Sequence, residues 1–334
     1  MFLDRVDMLI LEELSRNSRC LLKGIAAKAG VSIQTISSRL TILEKKMKLK
    51  YTVELDLQKA GCSQQYFVRV NFKEGAKPTA AQLRSIFSKN PFVQFAALTK
   101  GDFDLFLWSA SPSPADYESR IEGDLRSELD EFIQDWTAHP LLARRAGFLP
   151  VGSDLIEALK LPDSRKRTLR ILNEDSRIMV IKLAEQLGVK EPTAEYHLKR
   201  AQPFIRRFTS YFETTGEFLH MIRFLQLRGK EKDFQSEGRK VSELYLKSDP
   251  RLFNRLVYAG VPSGGMDRLF LETYSSFDDY EAHSESIKAY SNIIGKHSAA
   301  RVESVVKGAI PIRKVDLASE CKYLLSPAEI PDEG

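Results

Sequence analysis

One segment of this chain occurs twice, and that repeat constrains the fold more than any other feature. Ser18–Leu40 recurs in diverged form as Ser176–Leu198, with every position displaced by 158 residues. A chain that carries two copies of one unit is expected to fold as a covalently linked pseudo-dimer. The residues identical in both copies are Ser18, Arg19, Ala26, Gly30, Val31, Thr35 and Leu40, which recur as Ser176, Arg177, Ala184, Gly188, Val189, Thr193 and Leu198.

The first copy lies within a pattern of three predicted helices. Apolar side chains at helical spacing predict one helix over Asp4–Leu14 and a second over Leu21–Ala29. Gly30 follows the second helix, where a tight turn needs a positive φ angle. Ser32 is a suitable N-cap for a third helix, because its hydroxyl can accept a hydrogen bond from a free backbone N–H. The inner face of that helix is predicted to carry Ile33, Ile36, Leu40 and Leu43.

The third helix leaves a polar outer face and ends in basic residues. Polar side chains on a helix can bond base edges in the major groove, and lysine and arginine suit the phosphates that supply most of the affinity. A plain three-helix packing unit with a solvated charged face is the alternative. The residues predicted to contact DNA in this copy are Ser32, Gln34, Thr35, Ser37, Ser38, Arg39, Lys45 and Lys46.

A strand is predicted directly after these helices, because Tyr51–Asp56 alternates and is rich in β-forming residues. Three helices and such a strand describe a winged helix-turn-helix. The order and spacing of the residues resembles the Lrp/AsnC family, the feast/famine transcriptional regulators. The resemblance rests on Asn17-Ser18-Arg19, Ile25-Ala26, Gly30-Val31-Ser32, Arg39-Leu40 and Tyr51-Thr52-Val53.

The resemblance implies a second domain that carries a Gly-Asp-Tyr-Asp-like signature. Gly101-Asp102-Phe103-Asp104 matches it with Phe for Tyr, and Gly264-Gly265-Met266-Asp267 takes the same place in the second half. Family members pair such domains sheet to sheet and bind amino acids or similar small molecules near this loop. A tight turn capped by Asp is the alternative for Gly101–Asp104. The residues predicted to bind an effector are Gly101, Asp102, Asp104, Gly264, Gly265 and Asp267.

Periodicity predicts the same β-α-β-β-α-β order in both halves, which is a ferredoxin-like arrangement. The predicted fold class is therefore α+β, with two tandem units, each a winged helix-turn-helix followed by a ferredoxin-like domain. The predicted domains are residues 1–61 and 151–215 for the helix-turn-helix units, and residues 62–150 and 216–325 for the sheet domains. The predicted elements include a linker over Val151–Pro162, helices over Ala115–Ile133, Asp233–Leu246 and Phe277–Ser291, and strands over Leu142–Leu149 and Ser304–Ile310.

The second copy changes the face that would meet DNA. Glu191 and Glu195 lie on the outer face of its recognition helix, where a carboxylate repels phosphate but can accept a hydrogen bond from a cytosine amine. Arg206 and Arg207 suit phosphates. This head is expected to read a different half-site, to bind phosphates only, or to be structural. The residues predicted to contact DNA there are Thr193, Tyr196, His197, Lys199 and Arg200.

Composition narrows the class of protein. A net charge of +5 over 334 residues fits a nucleic-acid partner. Cys20, Cys62 and Cys321 are far apart, which predicts neither a metal site nor a disulfide framework and favours the cytoplasm. Neither a secretory signal nor a membrane span is recognisable. Phosphate-loop, dinucleotide and nucleophile motifs are absent, so the sequence predicts no enzyme activity and no cofactor.

The sequence therefore predicts a sequence-specific DNA-binding transcriptional regulator, pseudo-dimeric by internal duplication. Its expected partners are double-stranded DNA, a small-molecule effector such as an amino acid, and sheet domains of its own kind. These sheet domains are expected to pair either within the chain or between chains. The two heads are expected to face half-sites about one helical turn, ~34 Å, apart.

Two alternatives to a DNA-binding regulator stay open. Siroheme decarboxylases also resemble paired Lrp/AsnC proteins, although the histidines here are scattered instead of clustered. The other alternative is a ligand-sensing assembly protein that no longer binds DNA. The histidines are His139, His197, His220, His283 and His297.

Overall fold

The structure is a computed structural model that describes residues 3–213, 218–228, 255–288, 291–292 and 294–314. The first head, which we define as residues 3–55, packs three helices around a buried apolar core that includes Ile10, Leu14, Ile25 and Ile36. Its elements are α1 (Arg5–Arg16), α2 (Leu22–Ala29), α3 (Ile33–Met47) and β1 (Lys50–Leu55). The predicted turn is confirmed, since Gly30 ends α2 with a φ of 69°.

A βαββαβ unit follows the first head. Its second helical connection has three consecutive segments, the middle one with π-helical hydrogen bonding. The elements are β2 (Gln64–Phe72), α4 (Ala80–Ser88), β3 (Val93–Gly101), β4 (Leu105–Ser111), α5 (Pro114–Tyr117), the π-helical segment Glu118–Leu125, α6 (Arg126–Leu129) and β5 (Ile133–Gly147).

The second half repeats this order within the described residues. Its head, which we define as residues 163–213, contains α8 (Asp163–Glu174), α9 (Val180–Leu187), α10 (Glu191–Ala201) and β6 (Ile205–Glu213), after the short helix α7 (Ser153–Ala158). Its sheet unit contains β7 (Leu219–Leu227), β8 (Leu256–Pro262), β9 (Arg268–Tyr274), α11 (Phe277–Lys288) and β10 (Ile294–Lys307), and β11 (Pro311–Ile312) follows. The predicted α+β fold of two tandem units is confirmed.

The two sheet units close a single eight-stranded antiparallel barrel with the strand order β10-β3-β4-β2-β5-β8-β9-β7. Each unit contributes four neighbouring strands in the same relative order, and the units meet at two seams, β5–β8 and β3–β10. Aromatic rings pack across the units: the Phe106 and Phe224 centroids are 6.1 Å apart, and the Phe67 and Tyr258 centroids 5.6 Å. The sheet domains therefore pair within the chain.

Both seams depend on a glycine. At the β3–β10 seam, Gly101 has a φ of 149°, and an added Cβ would lie 2.4 Å from the carbonyl oxygen of Ala299. At the β5–β8 seam, Gly147 has a φ of 69°, and an added Cβ would lie 1.9 Å from the carbonyl oxygen of Val257. A side chain at either position would force the paired backbones apart.

The seam strands are longer than predicted, which corrects several expected boundaries. β5 begins at Ile133 instead of Leu142, and the preceding helical region ends at Leu129 instead of Ile133. β10 begins at Ile294 instead of Ser304. Each seam strand pairs with its own unit along one half and with the other unit along the rest, so tertiary pairing sets its length.

The predicted linker Val151–Pro162 contains α7, whose Leu155 and Ile156 are fully buried. The predicted helix Phe277–Ser291 is described as α11 through Lys288. The predicted helix Asp233–Leu246 lies outside the described residues. None of the helices in the described ranges is long and apolar enough to cross a membrane.

Candidate nucleic-acid interface

Helix α1 begins in a capping box that also positions the recognition helix α3. The Asp4 carboxylate accepts hydrogen bonds from the backbone N–H groups of Val6 and Asp7, at 2.8 and 3.0 Å. Arg39 of α3 donates to Asp4 at 2.5 Å and to Asp7 at 3.0 Å. The Asp7 backbone hydrogen bond and then Arg39 lower the pKa of Asp4. Arg39, predicted as a phosphate contact, is thus engaged in fixing α3 to α1.

The outer face of α3 is solvent-exposed at the positions predicted to meet DNA. Gln34, Ser37 and Ser38 are exposed, while the adjacent Ile36 is fully buried. Ser32 caps the helix as predicted, because its hydroxyl accepts from the Thr35 backbone N–H at 3.1 Å. The Ser32 and Thr35 hydroxyls also lie 2.9 Å apart in a mutual hydrogen bond. Local capping therefore engages these two hydroxyls, whereas Gln34, Ser37 and Ser38 face solvent.

One position on α3 departs from the predicted inner stripe. Ile33 is 49% exposed, whereas Ile36, Leu40 and Leu43 are buried. Ile33 is the first residue of the helix, so its side chain extends beyond the contact with α1 and α2. The prediction of an inner position for Ile33 is wrong, and an apolar group lies at the edge of the exposed face.

The carboxyl end of α3 carries the basic flank. Lys45 and Lys46 lie exposed in its last turn, where positive charge is favourable near the helix C-terminus. Lys48 ends the helix in the left-handed conformation, with a φ of 50°, which is costly for a residue with a side chain. This flank places three lysines next to the polar face.

The second recognition helix, α10, keeps the packing pattern but presents a different surface. Ala194 is buried, and Glu191, Thr193 and Glu195 are exposed. Tyr196 is 57% exposed and packs edge-on against His197, with centroids 5.8 Å apart. Lys199 and Arg200 are exposed in the last turn. Unlike α3, this helix has no side-chain cap, because its N-cap residue Lys190 makes no capping hydrogen bond through its side chain.

The two heads meet at the repeated serines. Ser18 and Ser176 are fully buried, and their hydroxyl oxygens lie 2.6 Å apart in a direct hydrogen bond. The Ser18 backbone N–H donates to the Phe208 carbonyl at 3.0 Å, and the Ser176 backbone N–H donates to the Tyr51 carbonyl at 3.2 Å. A pseudo-twofold axis therefore passes between equivalent atoms of the two copies.

The repeated arginines next to the serines support the same junction. The Arg19 guanidinium donates to the carbonyl oxygens of Ser176 and Ile178, at 2.7 and 3.1 Å. It also lies over the Phe208 ring, and Arg177 lies over the Tyr51 ring. Strands β1 and β6 pair antiparallel between the heads, with Tyr51 opposite Ser210. The predicted wing strand therefore joins the heads, and two of the repeated residues belong to this junction.

A buried carboxylate connects both heads to the barrel. Glu54 of β1 accepts hydrogen bonds from Arg207 of β6 at 2.6 Å and, still more closely, from Arg144 of β5. Burial raises the pKa of Glu54, but the two guanidinium groups outweigh burial and lower the pKa to about 2. Arg206 lies 3.5 Å from Asp56. Arg206 and Arg207, predicted for phosphates, therefore lie against the carboxylates of Asp56 and Glu54.

The two Gly-Asp loops have equivalent backbone contacts. Asp104 accepts from the Phe72 backbone N–H at 3.0 Å, and Asp267 accepts from the Leu227 backbone N–H at 2.7 Å. Asp102 is exposed and accepts from the Ala299 backbone N–H at 2.8 Å, across the β3–β10 seam. Gly101, Gly264 and Gly265 are also exposed. Each of these aspartates thus accepts a backbone hydrogen bond from a neighbouring strand.

Comparison with known proteins places the helical part of the first head in a DNA-binding class. A family model described as winged helix-turn-helix DNA-binding matches residues 3–46. An uncharacterised HTH-type transcriptional regulator of Pyrococcus furiosus is 26% identical over 106 residues, which cover 31% of this chain and 71% of that protein. The match is longer than the segment that the helix-turn-helix family model covers.

Solved structures resemble the chain over most of its length. The siroheme decarboxylase NirDL matches with a TM-score of 0.61 at 10% identity, covering 91% of this chain and 93% of that one. Its complex with an iron-uroporphyrin III analogue matches with a TM-score of 0.59. Escherichia coli AsnC, a shorter protein, is 21% identical over 44% of this chain, with a TM-score of 0.38. The NirDL likeness shows that the whole fold, with its two tandem units, has a solved counterpart.

The helix-turn-helix match, the curated relative and the residues shared with the feast/famine regulators agree with the observed first head. They also agree with the fold, in which each head is followed by a ferredoxin-like unit. Residues 3–46 of the chain match the winged helix-turn-helix DNA-binding family model, and the whole chain shares its fold of two tandem units with NirDL.

Proposed function

We propose that this chain is a sequence-specific DNA-binding transcriptional regulator in which one polypeptide supplies both heads, and that it is not an enzyme. The observation that carries the proposal is the exposed polar face of α3, where Gln34, Ser37 and Ser38 lie beside the lysines that end the helix. A glutamine can bond two atoms of an adenine edge, and lysines suit phosphates. The helix-turn-helix match over residues 3–46 supports the same function.

The operator of such a protein is asymmetric, because the two recognition helices differ. The first head reads bases with Gln34, Ser37 and Ser38 of α3, and Lys45 and Lys46 contact phosphates. The second head presents Thr193, Tyr196 and the basic end of α10, so it contributes a different half-site or phosphate contacts only. The junction at Ser18 and Ser176 supports this proposal, because it fixes the spacing between the heads.

The test is selection from a random double-stranded library at two salt concentrations, followed by affinity measurement on the selected site. Gln34→Ala is expected to cost about 1–3 kcal/mol and to relax the preference at one position. Lys45→Gln is expected to weaken binding evenly across sequences and to reduce the salt slope by about 1. Failure to enrich any sequence would contradict the proposal.

Matched controls separate the two heads and exclude charge effects. Lys89→Gln removes an exposed lysine of the barrel unit, 4.0 Å from Glu128, and is expected to leave binding unchanged. Lys199→Gln tests α10 with the same chemical change as Lys45→Gln. Arg39→Ala is a poor probe, because Arg39 fixes α3 to α1 through Asp4 and Asp7. Loss of binding in that variant would report altered packing.

A small-molecule effector, such as an amino acid, is proposed to act at the Gly-Asp loops. The exposure of Gly101, Asp102, Gly264 and Gly265 supports access to this site, and Asp104 and Asp267 hold the two turns. Asp102→Asn is expected to abolish any amino-acid effect on DNA affinity while leaving DNA affinity without amino acid intact. An unchanged amino-acid response would place the effector elsewhere.

A siroheme-decarboxylase-like enzyme is the second candidate function. Its support is the match of the NirDL structures, which extends over 91% of this chain. Titration with siroheme separates the two functions, since a tetrapyrrole that enters the protein changes its absorption spectrum. A saturable spectral change with loss of carboxyl groups would favour the enzyme. A ligand-sensing protein without DNA binding would show neither that change nor salt-dependent DNA retention.

A further inference from the structure

A cavity of about 330 Å³ lies where the first head meets the barrel. Its walls come from β1, β4, β5, the segment between β5 and α7, and Tyr258 of the second unit. The volume falls within the range of pockets that hold small organic molecules. The cavity is separate from the Gly-Asp loops, whose residues do not line it.

One side of the cavity is aromatic and apolar. Trp108, Phe148 and Tyr258 contribute rings, and Leu57 and Leu141 contribute aliphatic side chains. Trp108 and Phe148 are each only 2% exposed, and Tyr258 is equally buried, so these groups are held in place by packing. Such a wall favours a flat apolar body over a small inorganic ion.

The other side of the cavity has an excess of positive charge. Arg144 and Arg206 line it directly, and Arg207 and Arg313 act on the same buried Glu54. Glu54 is the one carboxylate among the described residues that line the cavity, so the cavity wall carries two guanidinium groups and one acid. Guanidinium groups bind carboxylates with strong, charge-assisted hydrogen bonds.

Two buried donors at this cavity lack a hydrogen-bond partner among the described residues. They are the hydroxyl of Tyr258 and the indole N–H of Trp108. Buried polar groups in folded proteins almost always have a partner, and each exception needs a physical reason. Both atoms are closed to solvent in this structure, so neither donor is open to a ligand in the cavity.

We propose that this cavity binds a small aromatic carboxylic acid. The carboxylate lies against Arg144 and Arg206, and the ring lies between Trp108, Phe148 and Tyr258.

The position of the site makes it suited to control the heads, a consequence that rests on the proposed DNA-binding function. Glu54 holds Arg144 of the barrel and Arg207 of the second head at the same time. An added carboxylate attracts Arg144 and Arg206 and so competes with Glu54 and Asp56 for them. Ligand binding therefore shifts the heads relative to the barrel through β1 and β6.

The test uses the full chain without DNA and measures ligand binding by tryptophan fluorescence and calorimetry. The chain has two tryptophans, so Trp136→Phe leaves Trp108 as the only reporter at the cavity. The probes are phenylacetate and phenylpyruvate, with phenylacetamide as the uncharged control and sodium sulfate as the bare anion. Saturable binding of either acid, at least about tenfold tighter than the amide, is the expected result.

Two variants test the site. Arg206→Gln is expected to weaken binding of the acid about tenfold. Tyr258→Phe removes only a hydroxyl that is closed to solvent, and it is expected to leave the affinity unchanged. Arg120→Gln, on the exposed surface of the first unit, is the matched control and is expected to change nothing.

Several outcomes overturn the proposal. These are the absence of saturable binding by both acids up to about 10 mM, equal binding of acid and amide, binding of sulfate alone, and an affinity of Arg206→Gln equal to that of the wild type. Because these measurements contain no DNA, failure of the regulator proposal leaves them intact. A gel-shift assay with and without the acid then tests the control of DNA binding separately.

Discussion

Removal of the Glu54 charge tests whether this carboxylate joins the heads to the barrel. Its side chain is 3% exposed and accepts hydrogen bonds from Arg144 and Arg207. We expect Glu54→Gln to lower the free energy of unfolding at pH 7, because the variant leaves two partly buried guanidinium groups without their buried counter-charge.

The magnitude follows from the pKa of the carboxyl. A fall from its ordinary value of 4.5 to about 2 corresponds to roughly 3 kcal/mol, at about 1.4 kcal/mol per pH unit. Since the pKa is lowered on folding, this stabilisation is complete above the unfolded pKa and is lost as the pH falls towards 2. The difference between wild type and variant is therefore constant from pH 8 to about 5.5 and shrinks towards pH 3.

Urea unfolding followed by circular dichroism, at pH 7, 5 and 3, measures this difference. Glu128→Gln removes an exposed carboxylate 4.0 Å from Lys89, and as a control it is expected to cost less than about 0.5 kcal/mol at every pH. A Glu54→Gln difference below about 1 kcal/mol at pH 7 would refute the reasoning. So would a large difference that does not change with pH, because ionisation would then not be its source.

Three further predictions concern stability and use the same unfolding assay. Ser18→Ala is expected to cost about 1–3 kcal/mol, because the buried Ser176 hydroxyl loses its partner, and the double variant is expected to cost less than the sum of the single ones. Gly147→Ala is expected to cost at least about 3 kcal/mol, since its Cβ would meet a paired backbone, whereas Gly61→Ala, with a φ of 90° and open space, is expected to cost about 1 kcal/mol. Lys48→Gly is expected to stabilise by about 1 kcal/mol, because glycine adopts the observed left-handed conformation without strain. The serine prediction is contradicted if the losses in unfolding free energy of the two single serine variants add up in the double variant. The glycine prediction is contradicted if Gly147→Ala and Gly61→Ala cost the same, and the Lys48 prediction if Lys48→Gly destabilises the protein.

The sequence predicted the elements whose signals are local. The Ser32 cap, the Gly30 turn and the alternation in Tyr51–Asp56 each reflect interactions within a few residues. The predicted bounds of the first two helices and of the first strand therefore lie within one or two residues of the observed ones. Ile33 was misplaced because periodicity indicates a face but not where the neighbouring helix ends. The exposed face of α3 followed from the same local pattern.

Features that depend on pairing between the halves were not predictable in the same way. The lengths of β5 and β10 are set by partners in both units, and the role of Arg39 depends on a carboxylate 35 residues away. The head junction did have a signal. Ser18 and Arg19 recur in the second copy as Ser176 and Arg177, although neither is an apolar residue of a helix core. Repetition of polar residues outside the helix cores indicates that the two copies contact each other there.

Closure of the barrel by a single polypeptide has a consequence for how the protein behaves on dilution. In a homodimer, the fraction of paired heads falls once the protein concentration drops below the dissociation constant of the subunits. Here the strands at both seams are already joined through the chain, so the effective concentration of one half around the other does not depend on the number of molecules present. The two heads therefore stay together as a pair even when a cell contains only a few copies of the protein.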